Sequence, residues 1–477
     1  MVGHSRTLFP LLIPPSPALM TQLYLRFEEL RASRQLGCGT SFAQFFEVWA
    51  SGRRCPNHPF LDDGLLPGVP VESSALSERP RKKLRGIIRT MVLLVDFEDA
   101  PHEAHHSPFF YERLLFGEAG AFPTGSMREY FRSVSGFGAA AHGVDIQGQV
   151  HGWFRLPHPL SYYANQHSGT SLEAPRNTQG MARDAVLTAL SQGVRFAGFD
   201  SLGTGSITAL MIVHAGRGAE ITGKSGDLWS LKWAIPGGIP VGAGGPALRA
   251  ETFAAVAADS PMGVFAHEWG HLAAQWGDYY DRNQGLSAHS AGLGDYCLMA
   301  SGAWSNSAAT PVYPNSMLRV FHDWVAPIRV EETTAGIRLR PVTEGGQPLI
   351  IRNPNRMSEH QYVLVEYRQR SGQDAFLPDE GIAVYTVDEA AATDGEQPQL
   401  PIELIQADGR GDLAHTYGKG NRGDSSDLYP FGTRRSLGRT TRPALNLPRT
   451  NRWSGISLRV RGKPGAPKMV VDVSITP

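Results

Sequence analysis

The chain has 477 residues, enough for two or three domains, and its 45 basic residues balance 45 acidic ones. Zero net charge without a long basic or acidic block gives no nucleic-acid surface, and no apolar run reaches membrane-spanning length. Three cysteines are too few for a disulfide framework, and 53 glycines with 34 prolines point to many turns rather than long helices.

Residues 1 to about 85 read as a leader. The opening MVGHSRTLFPLLIPPSPALM has a short apolar patch that prolines break early, and no clean small-residue cleavage site, so no signal peptide is assigned. Helical periodicity follows from Leu19 to Leu36, with Leu23, Leu25, Phe27 and Leu30 apolar. Cys38 and Cys55 can pair if the protein meets an oxidising compartment, which leaves Cys297 over. Alternatively, the Cys55 thiolate can occupy an open metal position and latch an enzyme inactive. The leader ends in the basic run SERPRKKLRG, a solvated linker and a point where proteolytic processing can occur.

From residue 86 the texture becomes α/β. GIIRTMVLLVDF is a buried strand, followed by a polar turn carrying Asp96, Glu98 and Asp99. FFYERLLFG and SMREYFRSVS are short helices, the second started by a Ser126 cap. VDIQGQVHGWFRL alternates enough for one or two strands. His102, His105 and His106 form a surface cluster with no metal assigned. Gln179 to Gln192 is helical, SITALMIVHAG is a second buried strand, and RGAEITGKSGDLWSLKWAI reads as loop-rich with two tryptophans.

The next stretch, PMGVFAHEWGHLAAQWGDYYD from Pro261 to Asp281, contains His267-Glu268-Trp269-Gly270-His271. Two histidines four apart on a helix project from one face and supply half of a tetrahedral zinc site. Glu268 lies next to the first ligand without having to bind, placed to take a proton from a metal-activated water. Such a pentapeptide arises by chance in roughly three per cent of chains this long, so context has to decide. Phe265, Leu272 and Trp276 make the helix a buried one, and buried histidines and a glutamate need partners, which zinc provides. No glutamate occurs between Glu268 and Glu331, which disfavours a third ligand from a distant helix. Gly277-Asp278 offers a nearer one, because a glycine at positive φ can reverse the chain and swing Asp278 back. Asp281, His289 and Asp295 are the other candidates. Met299, in GLGDYCLMASGAW, falls in a tight turn and is a candidate to pack beneath the histidines.

From about residue 336 short strands alternate with turn signals, which reads as an all-β sandwich-like region. Asp408, Asp412, Asp424 and Asp427 lie in its loops, as solvated carboxylates or as oxygen ligands for calcium.

Together these stretches resemble the immune-inhibitor-A-like zinc metalloproteases. MVLLVDFEDAPH, the two short helices, HGWFRLPHPLSYYA, LMIVHAGRGAE, GDLWSLKW, HEWGH with GDYYD, YCLMASGAW and VLVEYRQRSGQDAFLPDEGIAVYTVDE are similar to family segments in order. The resemblance implies a secreted or surface peptidase made as a zymogen, with zinc and calcium, His267 and His271 as metal ligands and Glu268 as catalytic base. The family has an aspartate soon after the second histidine, with a turn glycine between. Here Ala274 stands at that glycine position and one residue is added before Asp278. The helix is therefore expected to run nearly a turn further, with Gly277 turning the chain.

The resulting expectation is an α+β protein with a zincin-like metalloprotease catalytic domain over residues 86–330, an N-terminal pro-segment over 1–85 and a β-sandwich-like domain over 331–477. Its function is expected to be zinc-dependent hydrolysis of protein or peptide substrates, with Tyr279 or Tyr296 helping the oxyanion. The rival readings are a zinc hydrolase of a non-protein substrate and a catalytically silent binding protein on the same fold.

Overall fold

The computed structural model describes residues 11–37, 39–51, 79–118, 122, 124–139, 142–242, 248–280, 290–391, 400–415, 418 and 420–477. Cys38, Cys55, Asp281 and His289 lie outside these residues, and with them the Cys38–Cys55 pairing and the Cys55 latch.

The leader contributes a two-residue strand, β1 (Leu11–Leu12), and two helices, α1 (Pro17–Ala32) and α2 (Phe42–Ser51). The α1 start is sharp, because the Ser16 side chain accepts from the Leu19 amide and Pro17 fills the first helical position. Leu19, Leu23 and Phe27 pack with Phe42, Phe46 and Ala50 into a small core of their own.

The region expected to be catalytic is a sheet with helices. Strand β2 (Gly86–Asp96) is followed by α3 (Pro108–Tyr111), which continues as a π-helical turn, and by α4 (Met127–Ser135). A reciprocal Ser126–Glu129 capping box starts α4. Then come β3 (Val144–Arg155), α5 (Leu160–Ala164), α6 (Thr178–Ser191), β4 (Ala209–His214), α7 (Ala219–Thr222), β5 (Leu231–Pro240), β6 (Arg249–Ala257), α8 (Met262–Leu272) and α9 (Ser316–Phe321). The sheet order is β1-β5-β6-β4-β2-β3. β3, β2, β4 and β6 are parallel, whereas β5 runs antiparallel to β6 and β1 antiparallel to β5. The segment expected to be loop-rich around Trp229 and Trp233 therefore contains strand β5. Its start, Leu231 to Ile235, is buried, and the loop signal came from the residues before it.

The β-rich region holds β7 (Ile328–Val330), β8 (Thr334–Leu339), β9 (Leu349–Ile351), β10 (Gln361–Arg368), β11 (Gly381–Asp388), β12 (Ile402–Leu404), β13 (Ser436–Leu437), β14 (Ile456–Arg461) and β15 (Met469–Ile475). They form one sheet in the order β12-β11-β10-β9-β7 and another in the order β13-β14-β15-β8. Strand periodicity sorts the residues of β10 into two cores. Val363, Val365 and Tyr367 pack with Leu458, Val460 and Val471 of the second sheet. Tyr362 and Leu364 join the core of the catalytic region. Buried on both faces, β10 carries the apolar run YVLV, and its sheet forms the middle layer.

Candidate active site

Every residue of α8 is buried. The helix is held by the sheet on one side, where Trp269 Nε1 donates to Thr90 Oγ1 at 3.0 Å, and by Phe131, whose ring lies 4.3 Å from that of Trp269. Met299 packs against its far end. A Cβ at Gly270 would lie 2.9 Å from Met299 Sδ and 3.0 Å from the Trp276 ring, so a side chain there would push against both.

The helix does not run the expected extra turn. It ends at Leu272. The residue that turns the chain is Gln275, at φ 57°, and Gly277 does not adopt positive φ. The Trp276 amide donates to the Gly270 carbonyl at 3.1 Å, so the chain is closed back on the helix by the residue just before the glycine. Gln275 is held there by its side chain, whose Oε1 accepts from the Arg81 amide at 3.0 Å. The Tyr279 amide then donates to the Met299 carbonyl at 2.7 Å, which fixes the returning segment.

This path brings Asp278 back to the histidines. Asp278 Oδ1 lies 3.3 Å from His267 Nε2 and 3.2 Å from His271 Nε2, and the two Nε2 atoms are 3.0 Å apart. His267 Nδ1 donates to the Leu298 carbonyl at 3.0 Å and His271 Nδ1 to the Trp276 carbonyl at 2.6 Å. A carbonyl can only accept, so each ring carries its proton on Nδ1 and presents a lone pair at Nε2. Burial pushes the His271 pKa down to about 4 against the opposing pull of Asp278, which keeps that ring neutral. Two nitrogen lone pairs and a carboxylate oxygen thus converge in a dry site with no hydrogen between the nitrogens. Their 3.0–3.3 Å separations match the roughly 3.3 Å edge of a tetrahedron around an ion bound at about 2.0–2.1 Å. The donor set fits zinc, and the two carbonyls orient the rings from behind. Glu268 is fully buried between the two histidines in sequence.

The other candidates sit elsewhere. Asp295 faces Arg422 at 3.5 Å, and its amide donates to the Arg422 carbonyl. The Tyr296 hydroxyl is engaged by the Asp424 carbonyl and Asp427 Oδ2, at 3.0 Å each, in the β-rich region, while Tyr279 stays buried beside Asp278 in sequence. Asp408, Asp424 and Asp427 do gather, yet Ser426, Gln406, Asn421 and Tyr296 already bond them. Asp412 shares the Asn421 amide with Asp424, accepting from it at 3.4 Å. His102 pairs with Asp96 at 2.7 Å and stacks on Trp153. Cys297 is a buried thiol outside any disulfide.

A parallel sheet with one antiparallel strand thus lies against a buried helix whose two histidines meet a returning aspartate, and these three residues could hold a metal ion. Residues 88–319 match the model of the immune inhibitor A peptidase M6 catalytic domain. No curated protein matches the chain.

Proposed function

We propose that the chain is a zinc-dependent endopeptidase, exported and made as a zymogen, with His267, His271 and Asp278 as the metal ligands and Glu268 as the general base. The observation that carries the reading is the convergence of the two Nε2 atoms and Asp278 Oδ1 within 3.0–3.3 Å in a buried site. His267, His271 and Asp278 would hold a zinc ion, which would supply Lewis-acid polarisation of a scissile carbonyl and acidification of a water. The Leu298 and Trp276 carbonyls keep both imidazoles in the ligating tautomer. The Glu268 carboxylate accepts the proton of the attacking water and delivers it to the leaving amine nitrogen. The antiparallel strand β5 offers main-chain groups to an extended peptide. The match to the peptidase domain supports a protein or peptide substrate, and latency and export follow from what the family resemblance implies. Calcium gains no such support.

The test is zinc content and casein hydrolysis for the wild type and Glu268→Gln, with and without chelator, before and after removal of the leader. One zinc per chain, with activity abolished by the substitution and by chelation, is the expected result. Zinc without any cleavage after leader removal would leave a non-peptide hydrolase or a silent binding protein.

A further inference from the structure

The turn that returns Asp278 to the histidines is gripped, residue by residue, by groups that do not touch the metal position. His322, at the C-terminal cap of α9, is fully buried and uses both ring nitrogens. Its Nε2 donates to the Ala274 carbonyl at 3.1 Å, and its Nδ1 accepts from the Leu84 amide at 3.1 Å. A carbonyl can only accept and an amide N–H can only donate, so the ring is neutral with its proton on Nε2. Gln275, next along the turn, accepts from the Arg81 amide through its side chain at 3.0 Å. The Trp276 ring then stands edge-on to Trp324 at 5.5 Å and lies 6.0 Å from the His322 ring, while His322 stacks on Trp324 at 4.8 Å. Trp324 Nε1 donates to the Leu84 carbonyl at 3.0 Å, so this ring pair engages Leu84 on both sides. Leu84 and His322 both lie outside the matched residues 88–319.

We propose that His322 is a positioning residue of the metal centre: through Ala274 it holds the turn in the path that aims the Trp276 carbonyl at His271 and Asp278 Oδ1 at both Nε2 atoms. This rests on the metal-site reading above. Gln275 carries a side chain at φ 57°, a conformation that costs energy for any residue but glycine, so it has to be imposed from outside the turn. The anchors on Ala274 and Gln275 impose it from two sides. Without the first, Gln275 is free to relax towards negative φ. The Trp276 carbonyl, which takes the His271 Nδ1 proton at 2.6 Å, and Asp278, three residues on, would then both shift. Residues 81–84 supply the outer half of the grip, so the end of the leader works as part of the metal site.

The experiment uses the full chain and zinc itself as the probe, with affinity read by competition against a chromogenic chelator. His322→Met fills similar space without either polar group and should weaken zinc binding about 10- to 100-fold, the usual range for a group that orients a ligand from behind. His322→Gln offers a donor and an acceptor on one planar amide, as the neutral imidazole does, and should recover most of that loss. Should His322→Met fail to fold, His322→Asn, whose amide meets Leu84 but stops short of Ala274, takes its place with the same expectation. Cobalt in place of zinc reports the geometry: its tetrahedral visible band should weaken or shift in His322→Met and return in His322→Gln. A purely structural role would lower the urea midpoint yet leave the zinc affinity of the folded chain and the cobalt band unchanged, which would overturn the proposal. Because His322 acts through the segment that bears Asp278, its loss should count for less in an Asp278→Asn background, and fully additive losses would overturn the proposal as well. Zinc bound in the expected order by chains that cleave no peptide would keep the positioning role and sink the peptidase reading instead.

Discussion

Arg368 Nη1, on β10 of the β-rich region, donates to the Tyr296 carbonyl at 2.7 Å, in the segment that leads to Leu298 and Met299 beneath the histidines. The same guanidinium meets both Asp374 oxygens at 2.7 and 2.9 Å and Glu366 Oε1 at 3.1 Å, and all three side chains are fully buried. Glu366 and Asp374 also accept from the Ser316 and Tyr313 amides, so the network grips two stretches of the catalytic region at once.

Arg368→Met should therefore cost about 3–5 kcal/mol, because it leaves two buried carboxylates without their countercharge. Urea unfolding measures this directly. A loss below about 1 kcal/mol would mean that the carboxylates find other partners or protonate at little cost.

Asp278→Asn should weaken zinc binding by more than the roughly 10- to 100-fold typical of losing a group behind a ligand. Asp295→Asn should leave it unchanged, since Asp295 faces Arg422. Competition against a chromogenic chelator separates the two. Equal affinity in Asp278→Asn and wild type would remove Asp278 from the ligand set.

The sequence made the histidine pair legible because a four-residue spacing has one meaning on a helix. Asp278 was legible as a near carboxylate, but the turn that delivers it was not. The glycine signal pointed to Gly277, whereas Gln275 takes the left-handed conformation, pinned by a hydrogen bond to Arg81 that lies 194 residues away along the chain. Long-range contacts of that kind leave no local trace. The same holds for β1, a two-residue strand whose apolar LLI run is shared with any buried turn, and for Arg368, whose charge within the apolar run of β10 reads as an exposed position until its partners are seen. Strands β10 and β11 were readable as strands, but the use of both their faces shows only once the two cores are assembled.

The basic run before β2 reads as a solvated, cleavable linker, yet part of it is strapped down. Arg79 makes a two-point bond to Glu389 at 2.6 and 3.0 Å. Lys82 donates to the Leu202 carbonyl, and Lys83 and Arg85 both pair with Asp323 at 2.7 Å. Leu84 is fully buried, its amide donating to His322 and its carbonyl accepting from Trp324. Trypsin digestion of the native chain should therefore leave the bonds after Lys82, Lys83 and Arg85 intact, since a protease needs an extended, detached segment. N-terminal sequencing of the large fragment reads this out, and a new terminus at Lys83, Leu84 or Gly86 under native conditions would contradict it.

Glu220 links the leader to pH. Its carboxylate accepts from the Ser230 amide at 3.0 Å and the Ser230 hydroxyl at 2.7 Å. Its own carbonyl accepts from the Ser16 amide of the leader. Complete burial pushes its pKa up to about 7, with the Ser230 bonds pulling the other way and Asp259 adding to the rise. A carboxyl with a raised folded pKa favours the folded state while protonated. No penalty exists below the unfolded value near 4.5. The penalty grows as pH rises towards about 7 and is complete above it, amounting to about 3 kcal/mol. Glu220→Gln cannot ionise, so the wild type should lose stability relative to the variant between pH 5 and about 7, with the two running parallel at higher pH. Urea midpoints of both chains, measured from pH 5 to 8, check this. A constant difference across the whole range would show that Glu220 titrates normally and that its burial is relieved by water.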